Sequence, residues 1–457
     1  MKGRDFLQAI LAAALVSSAA AQTQVNRKYT ETPLAPFGPE VYESAIVSPD
    51  ARHVAYIAGD EGGQRVLLDG RPQKRYDGVA ALEFSPVGSR LAYAARQGDG
   101  WQVVVDGREQ GPYQRVGPPV FSPDGRRMAH VAMLADSKRA VVTDGRPGPA
   151  YDLISAGLIE FSPDGEHVAY GAVKNDQCYL VVDGEERGPF EDLGTYTGYR
   201  FSPDGSRLAF VIAEGGQVHV MLDGAKQPPY QDVGDLVYGS DGRRAAYAAL
   251  GEGGWRVVVD GAEQKPYEAI GEGTLRFSPD GGKLAYAANS GGKWCVVLDG
   301  QEGEKYDGVA EMTFSPGGEL LAYTAKTGAA EMVVVGGREG RIFDRIGGGT
   351  LVFSPDGRRM AYVARVGDVS FVVADGVRKP RYDLIGYVTF TPDGRHYVYA
   401  AIRGEKTFTV VDELEAAHHY DAIWLPPDTS LPFDNDERFH YLAVKEAKMF
   451  LVEEEVQ

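Results

Sequence analysis

The chain has 457 residues, with 65 acidic against 47 basic side chains, a formal charge of −18, 43% hydrophobic and 10% aromatic residues. Phosphate contacts need Lys and Arg, so an acidic chain without a basic run argues against nucleic acid or an anionic membrane surface as partner. The apolar content is far above that of a disordered chain, and length alone suggests about three domains.

Taken in chain order, the first element is MKGRDFLQAILAAALVSSAAAQTQ. Lys2 and Arg4 form a positive start, Phe6 to Val16 an apolar stretch, and Ala19 to Ala21 a small-residue cleavage pattern. This predicts a signal peptide over 1–21, a lead-in over 22–36 and a repeat domain over 37–457, with the mature protein in a periplasm or outside the cell. No later segment is more apolar, so no membrane span is expected. Cys178 and Cys295 lie three repeats apart inside hydrophobic strands and are expected as free thiols.

From residue 40 onward one unit recurs. Its anchor, Phe-Ser-Pro-Asp-Gly, has its second residue at Ser48, Ser85, Ser122, Ser162, Ser202, Gly239, Ser278, Ser315, Ser354, Thr391 and, in worn form, Phe433, at spacings of 37 to 42. A ring residue follows eight positions later, for example Tyr93, His130 and Tyr170. Proline and glycine in the anchor predict a type I turn between strands a and b, and the Asp-Gly after strand c predicts a primed two-residue hairpin to a short strand d. Strands b and c are apolar almost throughout, so both faces of each sheet should be covered. Four antiparallel strands per unit of about 40 residues indicate an all-β fold, a β-propeller.

The segments FSPDGRRMAHVA, FSPDGEHVAYGA, FSPDGSRLAFVI and FSPDGGKLAYAA resemble the Pro-Asp variety of WD-repeat-like units, as in TolB-type propellers and in propellers attached to serine peptidases. The resemblance covers about nine-tenths of the chain and implies the propeller fold; such propellers serve many roles. The separate α/β domain of the TolB type and the hydrolase domain of the peptidases have no counterpart here, so their partner contacts and activities are not implied.

Eleven anchors predict eleven blades, most simply one ring closed by an N-terminal strand d placed at FGPEVYE, where Tyr42-Glu43 matches the Tyr-Asp ending strand d elsewhere. Two tandem propellers are the alternative, and an open array a third. A monomer is expected.

The a–b and c–d turns share one end of each blade, and the variable b–c and d–a loops share the other. Residues common to all units are most simply structural, so function is sought where the template breaks. The histidines form no compact metal-ligand set, and neither a nucleophile elbow nor a phosphate-binding loop is present; no cofactor or metal is implied. His418-His419 reads as a loop pair, and Asp434 and Asp436 lack the remaining ligands of a calcium loop. An acidic residue after the strand d aromatic recurs at Glu43, Asp77, Asp152, Glu191, Glu268, Asp307, Asp344, Asp383 and Asp421. It is either a carboxylate ring for a basic partner or, the favoured reading, a set of acceptors for turn N–H groups. Trp424 in the long insertion AIWLPPDTSLPF, and Tyr196 and Tyr199 in GTYTGYR, are candidate partner anchors or covers of the variable face. The expected function is an exported, non-catalytic scaffold binding a protein or cell-envelope polymer through that face. The alternatives are a hydrolase or lyase acting on polysaccharide or peptide, and a structural spacer.

Overall fold

The computed structural model describes residues 27–38, 43–88, 90–154, 159–193, 199–425 and 431–456. The protein is an all-β β-propeller with eleven antiparallel blades. Blade 2 is typical: strands a to d run Gly78–Phe84, Leu91–Gln97, Gly100–Val105 and Arg108–Tyr113, each paired with the next. In five blades strand a is broken into two pieces that both pair with strand b. The chain divides into two compact units, Pro36–Phe277, holding blades 1 to 6 whole, and Met1–Ala35 with Ser278–Gln457, holding blades 8 to 10 whole and blade 11 but for Pro36. Among the described residues no helix is long and apolar enough to cross a membrane.

The turn chemistry sets the blades. In the anchor of blade 3 the Gly125 N–H donates to the Ser122 carbonyl at 2.8 Å, and Gly125 has φ +69°. The buried Ser122 hydroxyl donates to Asp124 at 2.6 Å and accepts the Arg127 N–H at 2.9 Å. At the c–d turn both central residues have positive φ, as in Asp106 (50°) and Gly107 (77°), the primed geometry that suits strand twist. The same Asp106 carboxylate accepts the Leu91 N–H at 3.2 Å, which ties the hairpin to strand b.

Five residues after the second anchor residue stands, in blades 1 to 7, 9 and 10, a cation or histidine, and the cations bridge to the next blade. Arg359 donates to Asp375 at 3.0 Å and to the Gly394 carbonyl in the next anchor at 3.2 Å, and lies 5.2 Å over the Phe390 ring. His53, His167 and His396 occupy this same place and pair with Asp69, Asp183 and Asp412 at 2.6 to 2.7 Å, which explains the repeat spacing of those three histidines. Losing the ion pair, the carbonyl bond and the ring contact together, Arg359→Ala should cost about 2 kcal/mol, read as a lower urea midpoint, with Arg359→Lys intermediate.

The core lies between blades. One cluster joins Ala55, Val66 and Tyr76 of blade 1 to Phe84, Leu91, Tyr93 and Val104 of blade 2. Within it the strand d aromatic meets the strand b ring edge-on, as in Tyr76–Tyr93 (6.2 Å) and Tyr382–Tyr399 (6.0 Å). Such pairs add about 0.5–1.5 kcal/mol beyond burial. Blade 3 breaks the pattern: His130 takes the ring position against Tyr113, is fully buried, and has no hydrogen-bond partner on either ring nitrogen. Cys178 and Cys295 form no disulfide, as expected.

The chain's two ends share blade 11. Its order is Ala422–Trp424, Arg438–Lys445, Lys448–Val456 and, as strand d, Arg27–Pro36. An N-terminal strand does complete the last blade, but it lies ahead of FGPEVYE, where the Tyr42-Glu43 match placed it. Tyr42 is outside the described residues, and Glu43 and Ser44 are helical. Elsewhere a strand d Tyr donates to a Glu in strand d of the next blade, as in Tyr382 to Glu415 at 3.0 Å; Tyr420 finds Glu31 at 2.7 Å. Glu31 therefore takes in blade 11 the place that Glu415 takes in blade 10.

Arg27, from this strand, ion-pairs with the buried Glu454 and donates to the Leu414 carbonyl at 2.8 Å. Glu454 also accepts from Tyr441 at 2.7 Å and Thr409 at 2.5 Å, and lies 3.3 Å from His418, whose ring stacks on Tyr29 at 3.8 Å.

Candidate functional site

The recurring carboxylates face the backbone. Asp77, Asp152, Glu191, Asp307, Asp344, Asp383 and Asp421 each accept the N–H of a b–c turn residue at 2.7 to 2.9 Å, for example Gly98 on Asp77 and Glu446 on Asp421. The donor belongs to the neighbouring b–c hairpin rather than to the turn that holds the acid. This bond holds the Asp307 carboxyl below its usual range, with Lys293 adding to it. Glu268 is exposed at the same position.

Of the three proposed aromatic anchors, Tyr199 and Trp424 lie among the described residues. Tyr199 is a correction: it sits in strand a of blade 5, Tyr199–Phe201, is 5% exposed, and donates to the Ala169 carbonyl at 3.2 Å. It belongs to the core. Tyr196 lies outside the described residues, as do residues 426–430 of the long insertion. Trp424 ends a strand paired with Leu442 and is half-buried. Of the His418-His419 pair, His418 is buried in the seam network rather than in a solvated loop. Among the described residues no group of three or more His, Cys, Asp or Glu is placed to hold a metal ion.

Cavities lie at the other end of the blades, beside the a–b and c–d turns, and three follow one another from blade 1 to blade 4. The first, about 310 Å³, is lined by His53, Gln73, Arg90, Tyr93 and Asp106. The second, about 590 Å³, has Arg90, Arg108, Arg126 and Arg127 around Gln110, with Asp106 and Asp144. The third, about 610 Å³, is lined by Arg127, Arg146, Pro147, Pro149, Tyr170 and Asp183. Strand d of blade 3 is only Arg146–Pro147 where blade 2 has Arg108–Tyr113.

Within the second cleft the charges divide into two sets. Arg90 is held by Asp106 at 2.8 Å and Arg127 by Asp144 at 3.1 Å, as part of the blade-bridging pattern. Arg108 makes no side-chain hydrogen bond or ion pair with any described residue, and Arg126 reaches Asp124 only at 3.5 Å with its side chain 84% exposed. Four guanidinium groups therefore face two carboxylates, in a chain whose formal charge is −18. Gln110 adds a carboxamide oxygen that is buried without a hydrogen-bond partner. A buried acceptor left unpaired costs about 1–3 kcal/mol.

These residues escaped the sequence reading although a signal exists. Arg71, Arg108 and Arg146 each directly follow the Asp-Gly turn, in three consecutive blades, whereas blades 4 to 7 have Glu185, Ala225, Ala262 and Gln301 there. The break lies one residue past a template motif, on the end of the blade taken to be uniform.

No protein-family model matches the sequence, and no curated protein matches it. Among solved structures the chain is similar to the crystal structure of the eukaryotic initiation factor, at 12% identity over 73% of this chain and 96% of that one, with a TM-score of 0.41. It is also similar to the crystal structure of TolB from Acinetobacter baumannii, at 15% identity over 61% and 95% of the two chains and a TM-score of 0.25. The Dos1 propeller matches at 12% identity over 64% and 90%, with a TM-score of 0.32.

Proposed function

We propose that the protein is an exported, non-catalytic scaffold that binds a protein or cell-envelope polymer, and that binding takes place in the clefts between blades 1 and 4. The observation that carries this reading is the contiguous run of three cavities with polar groups left unengaged, above all the Gln110 oxygen. The recurring carboxylates of the variable end are, by contrast, already occupied by backbone N–H groups. Export rests on the N-terminal charge, apolar stretch and small-residue pattern.

A direct test fills the clefts without touching their charge. The mature protein carrying Gln73→Trp and Gln110→Trp should lose retention of whichever member of a panel of envelope polysaccharides and peptides the parent retains. Trp424→Ala should retain it, with circular dichroism confirming the fold of both. Equal retention by the cleft-filled variant would move the site elsewhere, and turnover of a panel member by the parent would replace the scaffold by an enzyme.

A further inference from the structure

We propose that the ligand of these clefts is an acidic polysaccharide, with carboxylate-bearing, hydroxylated repeats, lying across blades 1 to 3 along Arg71, Arg108 and Arg146. The inference rests on the binding-scaffold reading and adds the chemical class of the ligand.

The three arginines hold one register position, the first residue after the c–d turn in consecutive blades. All three are exposed, and none makes a side-chain hydrogen bond or ion pair with a described residue. A guanidinium presents a planar fork that matches a carboxylate with two parallel N–H···O bonds, and an unpaired one breaks no existing bond to do so. One such fork per blade is a periodic array, and its complement is a polymer with a charge on each repeat. Elsewhere the chain is strongly acidic, so a polyanion is repelled from most of the surface and favoured where cations stand alone.

Charge does not choose between an acidic glycan and an acidic peptide, but the cleft walls do. Gln110 lines the second cavity, and Gln73 holds the same register in the first. A carboxamide both accepts and donates, as a sugar hydroxyl does. Hydroxyls beside a carboxylate on a stiff repeat satisfy Gln110 and Arg108 together.

Titration calorimetry of the mature protein tests this with oligogalacturonate, neutral cello-oligosaccharide and poly-glutamate. The acidic glycan should bind, and its affinity should fall by about tenfold on raising salt to about 0.5 M, because exposed charge pairs are screened. Arg71→Gln, Arg108→Gln and Arg146→Gln combined should weaken it by at least about 30-fold, as loss of several charge-assisted pairs requires. Arg338→Gln, at the same register in blade 8, should leave it unchanged. Poly-glutamate binding as tightly as the glycan would overturn the polysaccharide class. Binding of the neutral glycan, indifferent to the triple substitution, would overturn the charge reading and leave the scaffold standing. Failure of every polymer and peptide to bind would overturn the scaffold reading with it.

Discussion

Replacing Arg27 by Ala should destabilise the protein by about 3–5 kcal/mol, the usual cost of stripping one partner from a buried ion pair. Arg27 stands at the start of the N-terminal strand with its side chain 8% exposed, and Glu454, on the C-terminal strand, is completely buried. Removing the guanidinium leaves a carboxylate without its counter-charge and takes one donor each from the Leu414 and Thr409 carbonyls. Urea unfolding reads the loss directly. The double change Arg27→Met with Glu454→Gln should recover much of it, since the desolvation cost disappears with the charges. A single substitution costing under about 1 kcal/mol would mean that the seam is held by the strand ladder and the Tyr420–Glu31 bond instead.

The second large effect is on acid stability. Burial works to raise the Glu454 carboxyl, but the hydrogen bond from His418 and the charge of Arg27 outweigh it and hold the group at about 2, below its ordinary 4.5. A carboxyl depressed in the folded state stabilises above its unfolded value, so this contribution is present above about pH 4.5 and is lost as pH falls toward 2. It amounts to about 3 kcal/mol. His130 acts in an adjacent window. Burial without a partner pushes it down to about 4 from 6.5, so the fold keeps it neutral. That contribution is present above about pH 6.5 and lost between there and about 4. Chemical denaturation across pH should therefore show a decline beginning near 6.5 and steepening below 4.5. His130→Phe, which copies Phe210 of blade 5, should remove the upper part and raise stability at pH 7 by about 1 kcal/mol, because two unsatisfied nitrogens leave the core. An unchanged slope between pH 6.5 and 4.5 in His130→Phe would assign that decline to other groups.

Much of the fold was legible because each unit states its own turns. Asp-Gly demands positive φ at two successive residues, and Asp106 and Gly107 adopt it. The recurrence of the anchor counted the blades. The last strand was misplaced for a physical reason: Tyr42-Glu43 imitates the aromatic-acid ending of strand d, while RKYTETPLAP carries no such ending and is recognised only by what pairs with it, Tyr420 at Glu31 and Glu454 at Arg27. The carboxylate position shows the same limit. Recurrence revealed an acid at nine positions, but the donor lies some 21 to 25 residues further on, across a b–c hairpin that local spacing does not reveal. For Tyr199, a lengthened loop suggested exposure, yet its register opposite Phe210 carries the ring into the core. The clefts depend on which arginines are left over once Asp106 and Asp144 have taken Arg90 and Arg127.

Hydroxyl-radical footprinting of the mature protein with its bound polymer distinguishes the two ends of the blades in one measurement. A site in the clefts predicts protection at residues 71–73, 106–110 and 143–149, with Trp424 and the segment around residue 196 reacting as in the free protein. Protection at Trp424 and around residue 196, with the Asp-Gly-Arg segments unchanged, would contradict it and return the site to the variable loops.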